Sequence, residues 1–224
     1  MANIFSLKRD NKKLLEENTR LKNQLLVENS MQIDTTTYIG ELTLKRKGIE
    51  YLRKYEVYNA SVVGNTTSLP FNYIVLEKGS ENKINKDMAV VTFDNCLVGL
   101  TVQSNRYYTK VMSLLNRNCK VSAMFKKNKY LGNIEWDGTS PDYVIINNVS
   151  LNFEVLPGDT IVTSNYSANY QPNILIGTIT NQVDSKNGAY RSFKVKVAAD
   201  FSTLRMVYVI ENIRHIYQEE MEEQ

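Results

Sequence analysis

Ile4–Glu28, IFSLKRDNKKLLEENTRLKNQLLVE, carries a seven-residue apolar repeat that nothing downstream resembles, and it divides the chain into a rod and a body. Position a at Ile4, Asn11, Asn18 and Leu25 places Leu7, Leu14 and Leu21 at position d. Leucine at d with asparagine at a is the pattern of a parallel two-stranded coiled coil. Each buried Asn costs stability yet pairs best with its own copy, so it fixes register and strand number. Glu17 at g and Lys22 at the following e are placed for an interchain ion pair, worth only about 0.5 kcal/mol when exposed. The pattern predicts a helix from Ile4 to about Gln32, roughly 45 Å long at about 1.5 Å per residue. Its seam fades where Glu28 takes the next d position, so the coil is short. The competing reading lays the same stripe on the chain's own domain. Two asparagines would be poor core residues there, which favours the intermolecular coil.

The body is long enough to bury a sizeable core in one or two domains, at 224 residues overall. Charged residues are 23% and hydrophobic ones 42%, ordinary for a globular protein. A net charge of +3 does not imply nucleic acid. The charge is uneven: residues 1–54 hold eleven Lys/Arg against seven Asp/Glu, and 211–224 hold one Arg against five Glu. Neither end has the dense block of a nucleic-acid arm or an acidic solvating tail. No apolar run approaches the roughly 18 residues that span a bilayer, and no signal peptide is visible. The chain opens Met-Ala directly into the helix, which leads us to expect a natural protein with a further segment upstream. Cys96 and Cys119 lack CxxC spacing and fit either two buried small hydrophobes or one disulfide.

After the helix, Asp34–Thr37 is β-branched and ends the rod. Within the connector, Glu41–Lys47 alternates as a strand does, whereas Ile49–Tyr55 is spaced for a helical turn or two. From Val57 onward the signal is β. Strands are predicted at Ala60–Val63, Tyr73–Glu77, Met88–Phe93, Cys96–Gln103 and Thr109–Leu115. A second group follows at Lys120–Phe125, Tyr130–Glu135, Tyr143–Asn147, Thr160–Thr163, Leu175–Val183, Ser192–Ala198 and Met206–Ile210. Turn residues separate them, including Gly79, Asp137–Gly138, Pro157–Gly158–Asp159 and the hairpin pair Asn187–Gly188. Strands at this spacing without helices between them indicate small barrels or sandwiches. An internal repeat supports two modules: Lys86–Thr92 precedes Leu97–Val102 as Pro157–Thr163 precedes Leu175–Thr180. Matching Asp87 to Asp159 gives the second copy a loop six residues longer, since Gly99 lies 12 after Asp87 and Gly177 lies 18 after Asp159. A glycine inside a strand marks a bulge or sharp bend, and we assign Gly99 and Gly177 that structural role. The organisation is a helix at 1–34, a connector at 35–56, β modules at 57–119 and 120–212 that are free to exchange strands, and an acidic tail at 213–224.

The search for chemistry returns little. His215, the single histidine, lies in the tail, far from the packed site that a Ser-His-Asp or Cys-His arrangement needs. Cys96, Cys119 and His215 have no zinc-like spacing, and no GxxxxGK[ST] or GxGxxG occurs. We expect no cofactor, no metal and no catalytic residue. A hydrolase needs only two suitably placed carboxylates; Asp87, Asp94, Asp137 and Asp159 are the candidates, all beside turn signals where Asp caps its own backbone. Fourteen of 22 aromatics are tyrosine, with Tyr107–Tyr108 adjacent and Tyr166 and Tyr170 in the longer loop. Exposed Tyr suits protein interfaces, while strand-edge packing accounts for most of them.

Several ordered pieces resemble one family. After the coil come Ala60–Val63, Ile74–Ser80 (IVLEKGS), Met88–Val91, Leu97–Gly99, Lys120–Ser122, Pro157–Ser164 (PGDTIVTS), Ile176–Gly177 and Ala199–Leu204 (ADFSTL). As an ordered set these resemble the rod shape-determining MreC family, over nearly the whole chain. The chain departs from the family at Lys86–Asp87, where a Gly-Met-type turn is common, and in its long connector. The resemblance implies a mainly β fold with an N-terminal coiled-coil helix and two small six-stranded barrels outside the cytoplasmic membrane. It implies a single-pass anchor upstream of Met1 and a location on the periplasmic side of the bacterial inner membrane. It also implies a non-catalytic scaffold of cell elongation that forms homodimers, can polymerise into filaments, and binds the elongation-specific penicillin-binding transpeptidase and membrane partners such as MreD. The family's barrels are similar to chymotrypsin-like halves, but this chain has no histidine in its β modules for that chemistry. The alternative is a peptidoglycan hydrolase or a glycan-binding module.

Overall fold

The computed structural model describes residues 2–28, 43–46, 49–52, 55–167, 169–183 and 190–213. It forms two compact units, Met1–Asn59 with Ile210–Gln224, and Ala60–Val209. Helix α1 spans Ala2–Glu28. From Leu7 to Leu26, apart from Asn, Asp and Thr at scattered positions, its residues are Leu, Lys, Glu, Arg and Gln, all good helix formers. In the connector, β1 (Thr43–Arg46) pairs antiparallel with β2 (Ile49–Leu52), Thr43 opposite Leu52. The helical turn expected over Ile49–Tyr55 is therefore corrected. Ile49 and Tyr51 alternate with Glu50 and Leu52, and β-branched and aromatic side chains favour a strand once a partner lies alongside.

The remaining strands are β3 (Tyr55–Asn65), β4 (Phe71–Leu76), β5 (Ala89–Val91), β6 (Leu97–Ser104), β7 (Thr109–Asn116), β8 (Lys120–Phe125), β9 (Leu131–Glu135), β10 (Tyr143–Ser150), β11 (Thr160–Thr163), β12 (Leu175–Val183), β13 (Tyr190–Val197) and β14 (Met206–Asn212). They close into two six-stranded barrels. Around the first the order is β14-β3-β4-β7-β6-β5, and around the second β8-β9-β10-β13-β12-β11. The circuits are the same, with β14 standing where β8 stands. Sequence alone groups Met206–Ile210 with the second module; the structure gives this strand to the first barrel. Five local strands leave that barrel with two open edges, and the last strand returns to satisfy both.

Alternation fills each barrel. Ile74, Leu76, Val111, Leu114, Val207 and Val209 are fully buried in the first, and Val121, Ile134, Val144, Ile146, Ile161 and Val195 in the second. Each contributes roughly 1.5–3 kcal/mol by leaving water. The expected strands Lys120–Phe125, Thr160–Thr163 and Leu175–Val183 coincide with the observed ones.

The two strand glycines do the same job in both barrels. An added Cβ at Gly99 would lie 2.1 Å from the Met112 carbonyl oxygen, and one at Gly177 2.0 Å from that of Lys196. Beside each, the register slips by one residue: Val90 faces Gly99 but Val91 faces Leu97, and Ile161 faces Gly177 but Val162 faces Leu175. Val98 and Ile176 are thus the extra residues of matching bulges, which bend the strand and bring the next backbone too close for any side chain.

The repeat is real, but its register differs from the sequence match by one. Asp87 N–H donates to Thr101 O (2.8 Å) and Thr101 N–H to Met88 O (2.9 Å); Gly158 N–H donates to Ile179 O (2.8 Å) and Ile179 N–H to Asp159 O (2.9 Å). Asp87 therefore corresponds to Gly158, not to Asp159, and the second loop is longer by seven residues. Where the two barrels meet, Cys96 and Leu175 form a parallel bridge, with Leu175 N–H donating to Asn95 O at 3.0 Å.

Candidate functional site

Helix α1 presents two distinct faces. The d-position leucines stand out from the chain: Leu7 is 57% exposed, Leu14 62% and Leu21 43%. Asn11 and Asn18 are exposed with them. The side chains of Ile4 and Leu25 lie outside the described residues. The face that touches the chain's own residues is a different one, holding Leu15, Thr19, Lys22 and Asn23. Asn23 Nδ2 donates to Val57 O at 3.0 Å, and Val57 N–H donates to Asn23 Oδ1 at 2.8 Å. One carboxamide thus satisfies both backbone groups of a β3 residue, as a neighbouring strand would. Asn59 Nδ2 donates to Thr19 Oγ1 at 2.9 Å, one helical turn away. In heptad terms these residues are e, b and f, so contact with β3 leaves the a/d seam open. Within the helix's own unit, Leu7, Leu14 and Leu21 stay exposed.

Glu17 is engaged within its own helix. Arg20 Nε donates to Glu17 Oε2 at 2.7 Å, and this contact holds the exposed Glu17 carboxyl below its usual pKa.

The turn residues act through backbone geometry. Gly79 lies where an added Cβ would be 1.9 Å from Asn105 O. Asn105 Oδ1 in turn accepts from the N–H groups of Tyr107 and Tyr108 at 2.9 and 2.8 Å, and both tyrosines are exposed at this tip. In Pro157–Gly158–Asp159, Gly158 has φ +92° with open space around it, and Asp159 Oδ2 accepts from Leu156 N–H at 2.9 Å. Asp137 Oδ1 accepts from Thr139 N–H and Oγ1 at 2.9 and 2.8 Å. Asp200, in the segment that carries the chain from β13 to β14, accepts from Ser202 Oγ (2.6 Å) and Thr203 Oγ1 (2.9 Å). The Ser202 bond is the main cause of its lowered pKa. Asp137, Asp159 and Asp200 cap turns, as Asp beside Gly and Ser does. His215 lies outside the described residues, as do Asn187–Gly188 and residues 214–224 of the tail.

Cys96 and Cys119 are both free and buried, which selects the first of the two sequence alternatives. Burial pushes the Cys119 thiol up to about 12, against a hydrogen bond with Tyr170 that pulls the other way. Tyr170, from the longer loop, is buried and its hydroxyl pKa is raised by the same burial. This pair pins the loop, while Tyr166 at its tip is 79% exposed. No sequence signal connected Cys119 to Tyr170, because the pairing is made by the fold. Asn23 was equally silent, although its spacing from Thr19 marks a polar strip on one helix face.

A family model described as rod shape-determining protein MreC, barrel core, matches residues 62–211. The chain is 25% identical over 211 residues to the cell shape-determining protein MreC of Listeria monocytogenes, covering 90% of this chain and 70% of that one. Against the same protein of Bacillus subtilis it is 25% identical over 225 residues, covering 93% and 76%. The solved structure of MreC from Listeria monocytogenes superposes with a TM-score of 0.64 at 23% identity, covering 94% of this chain and 91% of that one. The structure of a complex between a penicillin-binding protein and MreC from Helicobacter pylori gives 0.57 at 16%, covering 71% and 99%. These superpositions show a shared fold.

Proposed function

The chain belongs to the MreC family of rod shape-determining proteins, and from that premise we propose that it is a non-catalytic, homodimeric scaffold of the cell-elongation machinery. One observation carries the dimer: Leu7, Leu14 and Leu21 form an exposed stripe on a helix whose contacts with its own chain use another face. Leucines at d with Asn11 and Asn18 at a select a parallel pair over larger bundles. Among the described residues no helix is long and apolar enough to cross a membrane, so an inner-membrane anchor would be supplied from outside them. An anchor holding both chains in one plane raises their local concentration, and a short coil then suffices to pair them.

The recruited partner is the elongation-specific penicillin-binding transpeptidase, on the periplasmic side, with MreD as a membrane partner; the Helicobacter pylori complex supports the transpeptidase. The scaffold favours the active form of its enzyme only by binding it more tightly than the inactive form. Sedimentation tests the dimer: Leu14→Glu with Leu21→Glu should halve the mass, and an unchanged dimer would assign association to the barrels. A pull-down from envelope extract with the intact chain tests the partner. Recovery of soluble peptidoglycan fragments that is abolished by Asp159→Asn would instead make the protein a hydrolase. The turn-capping role of Asp159 argues against that.

A further inference from the structure

One end of the second barrel combines unpaired positive charge with exposed leucine. The β8–β9 turn carries Lys126, Lys127 and Lys129, all exposed, and none is ion-paired among the described residues. Lys126 N–H donates to Thr160 O at 2.9 Å, which ties this turn to the start of β11. Tyr130 stacks on Phe153 with ring centroids 3.6 Å apart, which ties it to the segment after β10. These links gather Leu131, Leu151 and Leu156 around the lysines, at 43%, 55% and 47% exposure. Among the described residues the acids here are Glu154, exposed, and Asp159, whose Oδ2 is held by Leu156 N–H. Arg191 adds a fourth cation, its guanidinium donating to the carbonyls of Ser150 and Phe153. Among the described residues, three exposed lysines and the half-buried Arg191 face two carboxylates.

We propose that this end of the second barrel docks on the surface of an anionic lipid bilayer. The lysines meet lipid phosphates, and Leu131, Leu151 and Leu156 enter the boundary between headgroups and acyl chains. The balance of composition favours this occupant: three exposed lysines and three exposed leucines stand beside one exposed tyrosine, Tyr190, and one half-buried arginine, Arg191. Protein hot spots draw on Trp, Tyr and Arg, and both Lys and Leu are under-represented there. Leucine rimmed by lysine is the composition of interfacial binders, which add buried apolar area to attraction for anionic lipid. The proposal is independent of the scaffold reading, because it uses no residue of the helix seam and no partner enzyme.

The test is co-sedimentation of the intact chain with vesicles containing phosphatidylglycerol, beside vesicles of phosphatidylcholine alone. Binding is expected to the first, weakening as salt screens the charges, and not to the second. Each lysine near an anionic surface contributes about fivefold, so Lys126→Glu with Lys127→Glu and Lys129→Glu should lower partitioning at least about 100-fold. Leu151→Ser with Leu156→Ser, both in loops, should lower it while the melting temperature holds. A control reversing Lys83, Lys86 and Lys110 to Glu should bind much as the unaltered chain does. The proposal falls if the chain ignores phosphatidylglycerol at low salt, or if the control weakens binding as much as the turn variant. It falls equally if the turn variant keeps its vesicle binding and instead fails to bind a protein partner.

Discussion

Asp87 holds in the first barrel the backbone position that Gly158 holds in the second. Both have positive φ, 65° and 92°, and both donate to the carbonyl of the residue two after the bulged-strand glycine, Thr101 and Ile179. Only glycine takes this conformation without strain; Asp tolerates it better than most.

Asp87→Gly should therefore stabilise the protein by about 1 kcal/mol, the typical cost of a non-glycine residue held left-handed. The ion pair that this substitution removes, Lys86 Nζ to Asp87 Oδ2 at 3.4 Å, is exposed at both ends and contributes little. Urea unfolding gives the answer, and a drop in midpoint would show that Asp87 is favoured where it stands.

Gly99→Ala and Gly177→Ala should each destabilise by at least about 3 kcal/mol, because a carbonyl of the neighbouring strand lies where the methyl must go. Gly158→Ala meets nothing within 4 Å and should cost only about 1 kcal/mol of backbone strain. Thermal melts of the three variants would separate close approach from conformational freedom as the reason for each glycine.

Asn23→Ala removes both partners of Val57. Leaving a donor and an acceptor without them should cost about 1–3 kcal/mol locally. The expected readout is faster hydrogen exchange at the Val57 amide while the Val111 amide keeps its rate. Equal rates in variant and parent would dissolve the clasp.

Asn11→Leu with Asn18→Leu should raise the melting temperature of the dimer and at the same time broaden its mass distribution to trimers or mixed registers. Equilibrium sedimentation distinguishes this from a seam that is never buried, for which neither quantity would move.

Cys119 gives the protein an alkaline limit. Its folded pKa of about 12 exceeds the ordinary thiol value of 9.0, so burial favours the neutral thiol. That stability is whole below pH 9.0 and is lost progressively up to about 12, as the unfolded chain gains by ionising. Tyr170 shifts in the same direction, above its ordinary 10.0. Urea midpoints measured between neutral pH and the alkaline range should fall, and Cys119→Ala should flatten part of the slope.

Local signals were legible in the sequence and distant ones were not. Three strands are located to the residue, since apolar runs bounded by turn chemistry report short-range geometry. Gly99 and Gly177 announced their bends because a glycine amid β-branched residues has few other reasons to be there. The ownership of β14 depends on pairing with β3 across more than 140 residues, and no periodicity encodes that. The one-residue error in matching Asp87 to Asp159 has the same origin: identity of type outweighed a backbone conformation that only the fold displays. For α1, the leucine seam masked the quieter Thr19–Asn23 strip on the adjoining face.

Closing the first barrel with β14 also imposes an order of events. Strands β8 to β13 are contiguous in the chain, so the second barrel is complete as soon as Val197 is available. The first waits for Met206–Asn212, with the ladders of β3 and β5 unsatisfied in the meantime. A chain emerging from its N-terminus thus matures its later-made barrel first. The final strand then acts as a completion check: any molecule that ends early keeps two sticky edges, and such molecules are the ones that aggregate.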